Sequence, residues 1–328
     1  MNYCFFISED ESECQYDYYK DLYDEPGCSF KVEWGGSCYF MKLLRKIVRI
    51  LGKILKCDFI RTINFSKRDI KRINDNEQYC LIFTLAYFVR CFDIALFETL
   101  GNKNNVKLML LLNDSVDSSS GAMLDAKAKK VFSLKWDRIL SFDEKDCEKY
   151  GWKYTGCLYS SRAGVRPSED INDAYFIGNF TPDRENLILG VFNKLNRAGV
   201  KCRFDLWVPD KRKADLANGG KGIHYRRFYL KYKKMLRYVR SANCIIEVQK
   251  KGQNGPTLRW FEAIYFNKKL LTNNPNITKL PFYNPDYMKF YASPEEIDVD
   301  WVKREDAVNY KYNGELSQKR LLSFISEK

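Results

Sequence analysis

AYFIGNFTPDRENLILGVFNKLNRAGVKCRFDLWV, residues 174–208, carries the fold in its alternation. Residues 174–180 are a short, continuous apolar run that predicts a strand; residues 182–199 predict a helix stopped by Gly199; residues 200–208 predict a second strand. The alternation continues. A basic loop runs to about residue 224, then come a helix over 228–242, a strand over 243–249, another helix, and a strand at KLLTN, 269–273. Strands and helices in strict succession, with crossovers of ordinary length, define a Rossmann-like half built on a parallel sheet.

The region before it reads similarly but less cleanly. KLMLLLNDS (107–115) predicts a fully buried strand ending in Asn113 and Asp114, and WDRILSFD (136–143) predicts another, followed by a helix start at DEKDCEKYG. Short apolar runs without polar alternation belong to a sheet covered on both faces. The most apolar window, YCLIFTLAYFVRCFDIALFETL (79–100), holds Arg90 and Asp93 in its middle and reads as a strand or a buried helix, not a membrane span. The first 40 residues show few clear periods, and EWGGSCYF reads as a turn followed by a short strand or loop. SSRAGVRPSEDIN, near 160–172, is a polar link with Pro and Gly that separates domains 1–165 and 166–328. The fold class expected is therefore α/β, two Rossmann-like domains with a cleft between them, ligands lying at the carboxyl ends of the strands.

Composition narrows the function. The 328 residues carry 55 basic against 42 acidic side chains, a net charge of +13, which favours anionic partners. The eleven cysteines are an odd number, scattered, with no CxxC pair, so they read as reduced core thiols of a cytosolic protein and not as a disulfide framework. Acidic residues follow the short apolar start, unlike a signal peptide. MKLLRKIVRILGKILK, residues 41–56, predicts an amphipathic helix with Leu43, Leu44, Ile47, Ile50, Leu51, Ile54 and Leu55 on one face and six cations on the other. Such a helix lies on an anionic membrane or packs its apolar stripe on the core.

KKGQNGPTLRWFEAIYFNKKLLTNN, residues 250–274, holds the candidate chemistry. Gly252, Gly255 and Pro256 shape a loop, and Thr257 opens a helix as its N-cap or as a hydroxyl for a phosphate. Arg259 on the first turn can add a charge-assisted bond to an anionic oxygen. Glu262, one turn on, has the reach to take two ribose hydroxyls. The plainer reading has Thr257 as a cap only, Arg259 in solvent and Glu262 paired with a lysine.

The run from Tyr232 to Tyr283 resembles bacterial cell-surface polysaccharide glycosyltransferases of the GT-B fold, among them lipopolysaccharide-core, capsule and CgeB-like enzymes. Shared positions are Glu247, Gln253, Gly255, Thr257, Leu258, Arg259, Glu262, Ala263, Lys268, Lys269, Asn273 and Asn274. YFIGNFTPDRENLI is similar to the first strand of their donor domain, where Gly178 and Arg184 begin the nucleotide site. The resemblance implies a GT-B arrangement and glycosyl transfer from a nucleotide sugar to a lipid-linked or oligosaccharide acceptor at the inner face of the cell membrane. It also implies that the last segment, 315–328, is a helix packing back on the N-terminal domain. The nucleotide sugar is a substrate, and no cofactor or metal is expected. Arg259 would stabilise the leaving phosphate, and Asp114 or Asp117 would be the base if the enzyme inverts.

Other chemistries lack residues. His224 is the only histidine, which excludes a histidine triad or a multi-histidine metal site, and no Walker A or GxGxxG run is present. Asp298-Val299-Asp300 resembles the metal-binding DxD of another glycosyltransferase fold but stands in the C-terminal region, outside the donor motif. Basic residues interleave with tyrosines over 224–240, a pattern shared with RNA binders, yet the tyrosines follow helical spacing and read as core, so no nucleic-acid partner is expected.

Overall fold

The computed structural model describes residues 1–9, 14–34, 73–91, 94–116, 130–160, 164–208, 221–250, 253 and 255–327. The predicted basic helix at 41–56 and Asp117 lie outside the described residues. The chain forms two compact units, Met1–Ser160 with Ser317–Lys328, and Ser161–Leu316.

The first unit holds β1 (Asn2–Glu9), β2 (Cys28–Trp34), β3 (Tyr79–Thr84), β4 (Val106–Leu112), β5 (Arg138–Ser141) and β6 (Lys153–Tyr154). Their spatial order is β2-β1-β3-β4-β5-β6, and every neighbouring pair is parallel. The unbroken apolar runs are explained by burial on both faces. Leu81, Phe83, Leu108 and Leu110 join one core cluster, while Cys80, Ile82, Met109 and Leu111 join the other. Alternate residues point to opposite faces, so residues 80–83 and 108–112 are apolar throughout, while Lys107 near the start of β4 is exposed.

The apolar window at 79–100 is both elements in succession. β3 ends at Thr84, whose Oγ1 accepts from Tyr87 N (3.4 Å), and helices Leu85–Cys91 and Ile94–Gly101 follow. The early stretch that showed few periods supplies β1 and β2. The C-terminal helix Leu321–Ser326 packs on this unit, burying Leu321 and Ile325 beside Phe5 and Ile7.

The second unit holds β7 (Asn172–Asn179), β8 (Cys202–Trp207), β9 (Ile223–Arg226), β10 (Ala242–Glu247), β11 (Lys269–Thr272) and β12 (Met288–Phe290). All neighbours are parallel, in the order β12-β11-β10-β7-β8-β9. Numbered within the unit this is the doubly wound order 3-2-1-4-5-6, whose direction reverses between β7 and β10. Helix Pro182–Arg197 buries Ile188, Val191, Phe192 and Leu195 on one sheet face. Helix Tyr232–Ser241 connects β9 to β10 and helix Leu258–Tyr265 connects β10 to β11.

Gly222 leads into β9 at φ +110°, and a Cβ there would stand 2.6 Å from the Cys202 carbonyl oxygen. A main-chain atom cannot step aside cheaply. Gly222→Ala is expected to cost about 2–3 kcal/mol, read as a lower urea midpoint at unchanged slope. An unchanged midpoint would contradict the placement.

Candidate functional site

Thr257, at the head of the Leu258–Tyr265 helix, is a true cap: its Oγ1 accepts from Arg259 N at 3.1 Å. The same hydroxyl donates to Glu247 Oε1, and Thr272 at the end of β11 donates to Glu247 Oε2. Glu247 closes β10 at 2% exposure, and burial pushes its carboxyl above the usual range against the pull of the two hydroxyls. Tyr291 Oη donates to its main-chain oxygen (2.9 Å). One buried carboxylate thus ties the helix start to the ends of two strands.

Arg259 is neither in solvent nor aimed at a lysine-paired neighbour. Its Nη1 lies 2.8 Å from Glu262 Oε2, one turn on, and the guanidinium also meets the Met235 sulfur at 3.2 Å. Glu262 has 0% exposure. Burial pushes its carboxyl up to about 7, while Arg259 and a hydrogen bond from Tyr232 pull it down. A carboxylate so enclosed reaches no ligand as placed. The ribose contact implied by the resemblance requires the Arg259–Glu262 pair to part.

Arg184 and Gly178 stand beside the reversal point. Arg184 is buried, with Nη1 donating to the Val248 carbonyl (3.0 Å) and Nη2 to the Asn179 carbonyl. It therefore clamps the ends of β7 and β10 through main-chain oxygens. Gly178 makes room for packing, since a Cβ would stand 2.9 Å from the Phe176 ring. Gly255 is buried, its carbonyl accepting from Gln249 Nε2 (3.2 Å); Gln253 is half-buried in the loop, and Leu258 is the half-buried first residue of the helix.

The carboxyl edge of this sheet therefore gathers Gly178, Arg184, Glu247, Gly255, Thr257, Leu258 and Arg259, with Glu262 beneath them. Asp114 belongs to the other unit, exposed just after β4. Lys269 faces inward, its ammonium donating to the Trp301 carbonyl (2.5 Å) and to the Arg304 carbonyl. Asp298 caps the Val299–Lys303 helix and pairs with Lys289 at 2.7 Å.

Sequence reading missed a polar face running along β8 and β9. Asp205, wholly buried on β8, holds Arg203 Nε at 3.0 Å and Arg226 Nε at 2.6 Å, and the Arg203 guanidinium lies 3.7 Å from the Tyr238 ring centre. His224 sits here, its imidazole pulled down by burial and by the Arg203 charge. Trp207, the register partner of Asn179, stacks on Tyr229 at 4.4 Å and 12°. The signal was present in CRFDLW, where charged residues alternate with apolar ones inside a strand.

No protein-family model matches the chain, and no curated protein sequence matches it. Among solved structures it is similar to an alpha-glucosyltransferase in complex with UDP-glucose and DNA containing an abasic site, at TM-score 0.58 and 12% identity over 100% of both chains. It is also similar to an alpha,alpha-trehalose-phosphate synthase (UDP-forming) from Burkholderia vietnamiensis, at TM-score 0.50 and 10% identity, covering 99% of this chain and 95% of that one. At such identities the likeness shows the fold. The fold is of the GT-B type, α/β with two parallel six-stranded sheets.

Proposed function

We propose that the chain is a glycosyltransferase that takes a nucleotide sugar as donor and acts in cell-surface polysaccharide synthesis, on a saccharide or lipid-linked saccharide acceptor. The observation that carries this reading is the carboxyl edge of the second sheet. There a capped helix start and a positioned arginine meet beside the strand reversal, where doubly wound sheets hold their ligands. The helix start suits the phosphate that leaves as the glycosidic bond breaks, and Arg259 would join it on parting from Glu262. The stacked Trp207–Tyr229 pair, one strand from Asn179, offers an aromatic face for the base. The alpha-glucosyltransferase of the same fold is bound to UDP-glucose, which supports a donor of that kind.

Calorimetry with nucleoside mono- and diphosphates tests it. At least one nucleoside diphosphate should bind saturably, and Trp207→Ala should weaken it about tenfold, the value of one lost stacking contact. Failure of every nucleotide to bind, with salt-sensitive binding to RNA or DNA instead, would replace this reading with a nucleic-acid-binding one.

Access to a lipid-linked acceptor would rest on residues 41–56, by their sequence pattern. Each cation near an anionic surface contributes about 1 kcal/mol, so wild type should co-sediment with anionic liposomes at low salt. Changing Lys42, Arg45, Lys46, Arg49 and Lys53 to glutamine should release it. Equal binding by both proteins would remove the membrane role. Among the described residues no helix is long and apolar enough to cross a membrane.

A further inference from the structure

A cavity of about 390 Å³ opens at the other end of the Leu258–Tyr265 helix, all of its walls from the second unit. Arg240 closes one helix just before β10 and Asn267 follows another just before β11, so the cavity lies at the amino edge of the sheet. The helix of eight residues separates it from Thr257 by roughly 12 Å. It is a different place from the carboxyl edge.

Its lining is one-sided in chemistry. Arg240 and Lys311 bring cations, and no lining residue is acidic. Asn267 Oδ1 accepts from Tyr310 N (3.1 Å) and Asn309 Oδ1 accepts from Lys311 N (2.9 Å). Each acceptor is thereby used internally, which leaves the amide NH₂ groups as donors. Lys268 stands behind Arg240, its ammonium pulled down by burial and by the Arg240 charge. The positive charge here is felt by its neighbours and is not neutralised by any ion pair among the described residues.

The remaining wall is aromatic. Tyr265 and Tyr312 meet at 73° with centres 6.0 Å apart, and Phe266 lies 5.9 Å under the Arg240 guanidinium. Rings set edge to face present single faces, not a parallel slot for a flat base. A single ring face suits the C–H side of a sugar, with the amides reaching its hydroxyls. Donors and cations then require a ligand rich in acceptors and negatively charged.

We propose that this cavity is a second ligand site, for a sugar ring carrying a negative charge, whether a uronate or a sugar phosphate. The assignment does not depend on the donor site. The cavity volume falls at the small end of ligand pockets, suited to a mono- or disaccharide.

Calorimetry of the full chain with glucuronate, glucose 6-phosphate, glucose and inorganic phosphate tests it. At least one of the two charged sugars should bind saturably, and the tighter of them identifies the source of the charge. Glucose and inorganic phosphate should each bind about tenfold more weakly or worse, for want of the charge or the ring. Lys311→Asn, which suits the left-handed backbone there (φ 54°), and Arg240→Gln should each weaken binding about tenfold. Arg240 also donates to the Val165 carbonyl, so the exposed Lys311 variant guards against a folding effect. Trp207→Ala should leave this binding unchanged while it weakens nucleotide. Absence of saturable binding by either charged sugar would overturn the proposal. So would inorganic phosphate binding as tightly as glucose 6-phosphate, or affinity unchanged in both cavity variants.

Discussion

Arg259→Leu is expected to destabilise the protein by about 3–5 kcal/mol near pH 8 and by clearly less near pH 6. Glu262 has 0% exposure, and Arg259 Nη1, at 2.8 Å, is the charge that offsets its burial. Without the guanidinium, an ionised carboxylate is left uncompensated in the interior, and its escape is to take up a proton. The sign follows from the wild type. Its Glu262 titrates at about 7 against an ordinary 4.5, because burial outweighs the arginine. Between those values the native state holds a proton that the unfolded chain has released. Stability is therefore fully present below 4.5 and falls as pH rises through 7, at no more than about 1.4 kcal/mol per pH unit from this group. Loss of Arg259 moves the native value higher still, so the penalty grows toward alkaline pH. Urea unfolding at both pH values measures it. Glu262→Gln should flatten that part of the pH profile, and Arg259→Leu with Glu262→Leu should recover most of the loss. Equal stability of the single and double variants, or no pH dependence, would show that the pair does not carry this energy.

Glu247→Leu should be the other severe change, costing about 3 kcal/mol or more. The carboxylate accepts from the hydroxyls of Thr257 and Thr272, both directed into a site with 2% exposure. Leucine fills the volume but leaves both hydroxyls without their acceptor, and a buried polar group without a partner costs its full desolvation. Glu247→Gln keeps an acceptor oxygen and should cost far less. The variant also has a functional signature under the transferase reading. Thr257 would lose the contact that fixes it, so nucleoside diphosphate affinity should fall more in Glu247→Leu than in Glu247→Gln, at temperatures where both are folded. Equal melting temperatures for the two variants would refute the assigned role of the carboxylate.

Glu262 shows how far a residue pattern can be read. Spacing places Thr257, Arg259 and Glu262 on the first turns of one helix, and the cap is found where it was expected. Spacing does not say which side of the helix faces the sheet. Arg259 and Glu262 three residues apart turn toward each other because both meet the interior beside Met235 and Tyr232, so the charge partner is the arginine itself. Arg184 is similar. Its place after the first strand was legible, but its use on the carbonyls of Val248 and Asn179 depends on β7 and β10 being neighbours, which no local signal reports.

The sequence by itself determined the alternation of strands and helices over residues 174–273, because buried parallel strands and amphipathic helices leave different periods in the chain. It read the approach to residue 224 as loop and missed β9, and the doubly wound order came only from the structure. It also determined the buried run of β4, apolar from Leu108 to Leu112 since both sheet faces are covered there. Only the tertiary structure decided the rest. β1 showed no period because its residues divide between two cores, Phe6 in one and Phe5 and Ile7 in the other. β2 does alternate, with Cys28, Phe30 and Val32 on one core, but its place beside β1 is tertiary, and β12 is three residues long, too short to show a period. The Asp205–Arg203–Arg226 cluster, the Trp207–Tyr229 stack and the cationic cavity at Arg240 and Lys311 join residues from separate elements. The physical reason is the same for all three: side-chain periodicity records which face of its own element a residue occupies, while a site is made by which elements are brought side by side, and that is settled only when the sheets assemble.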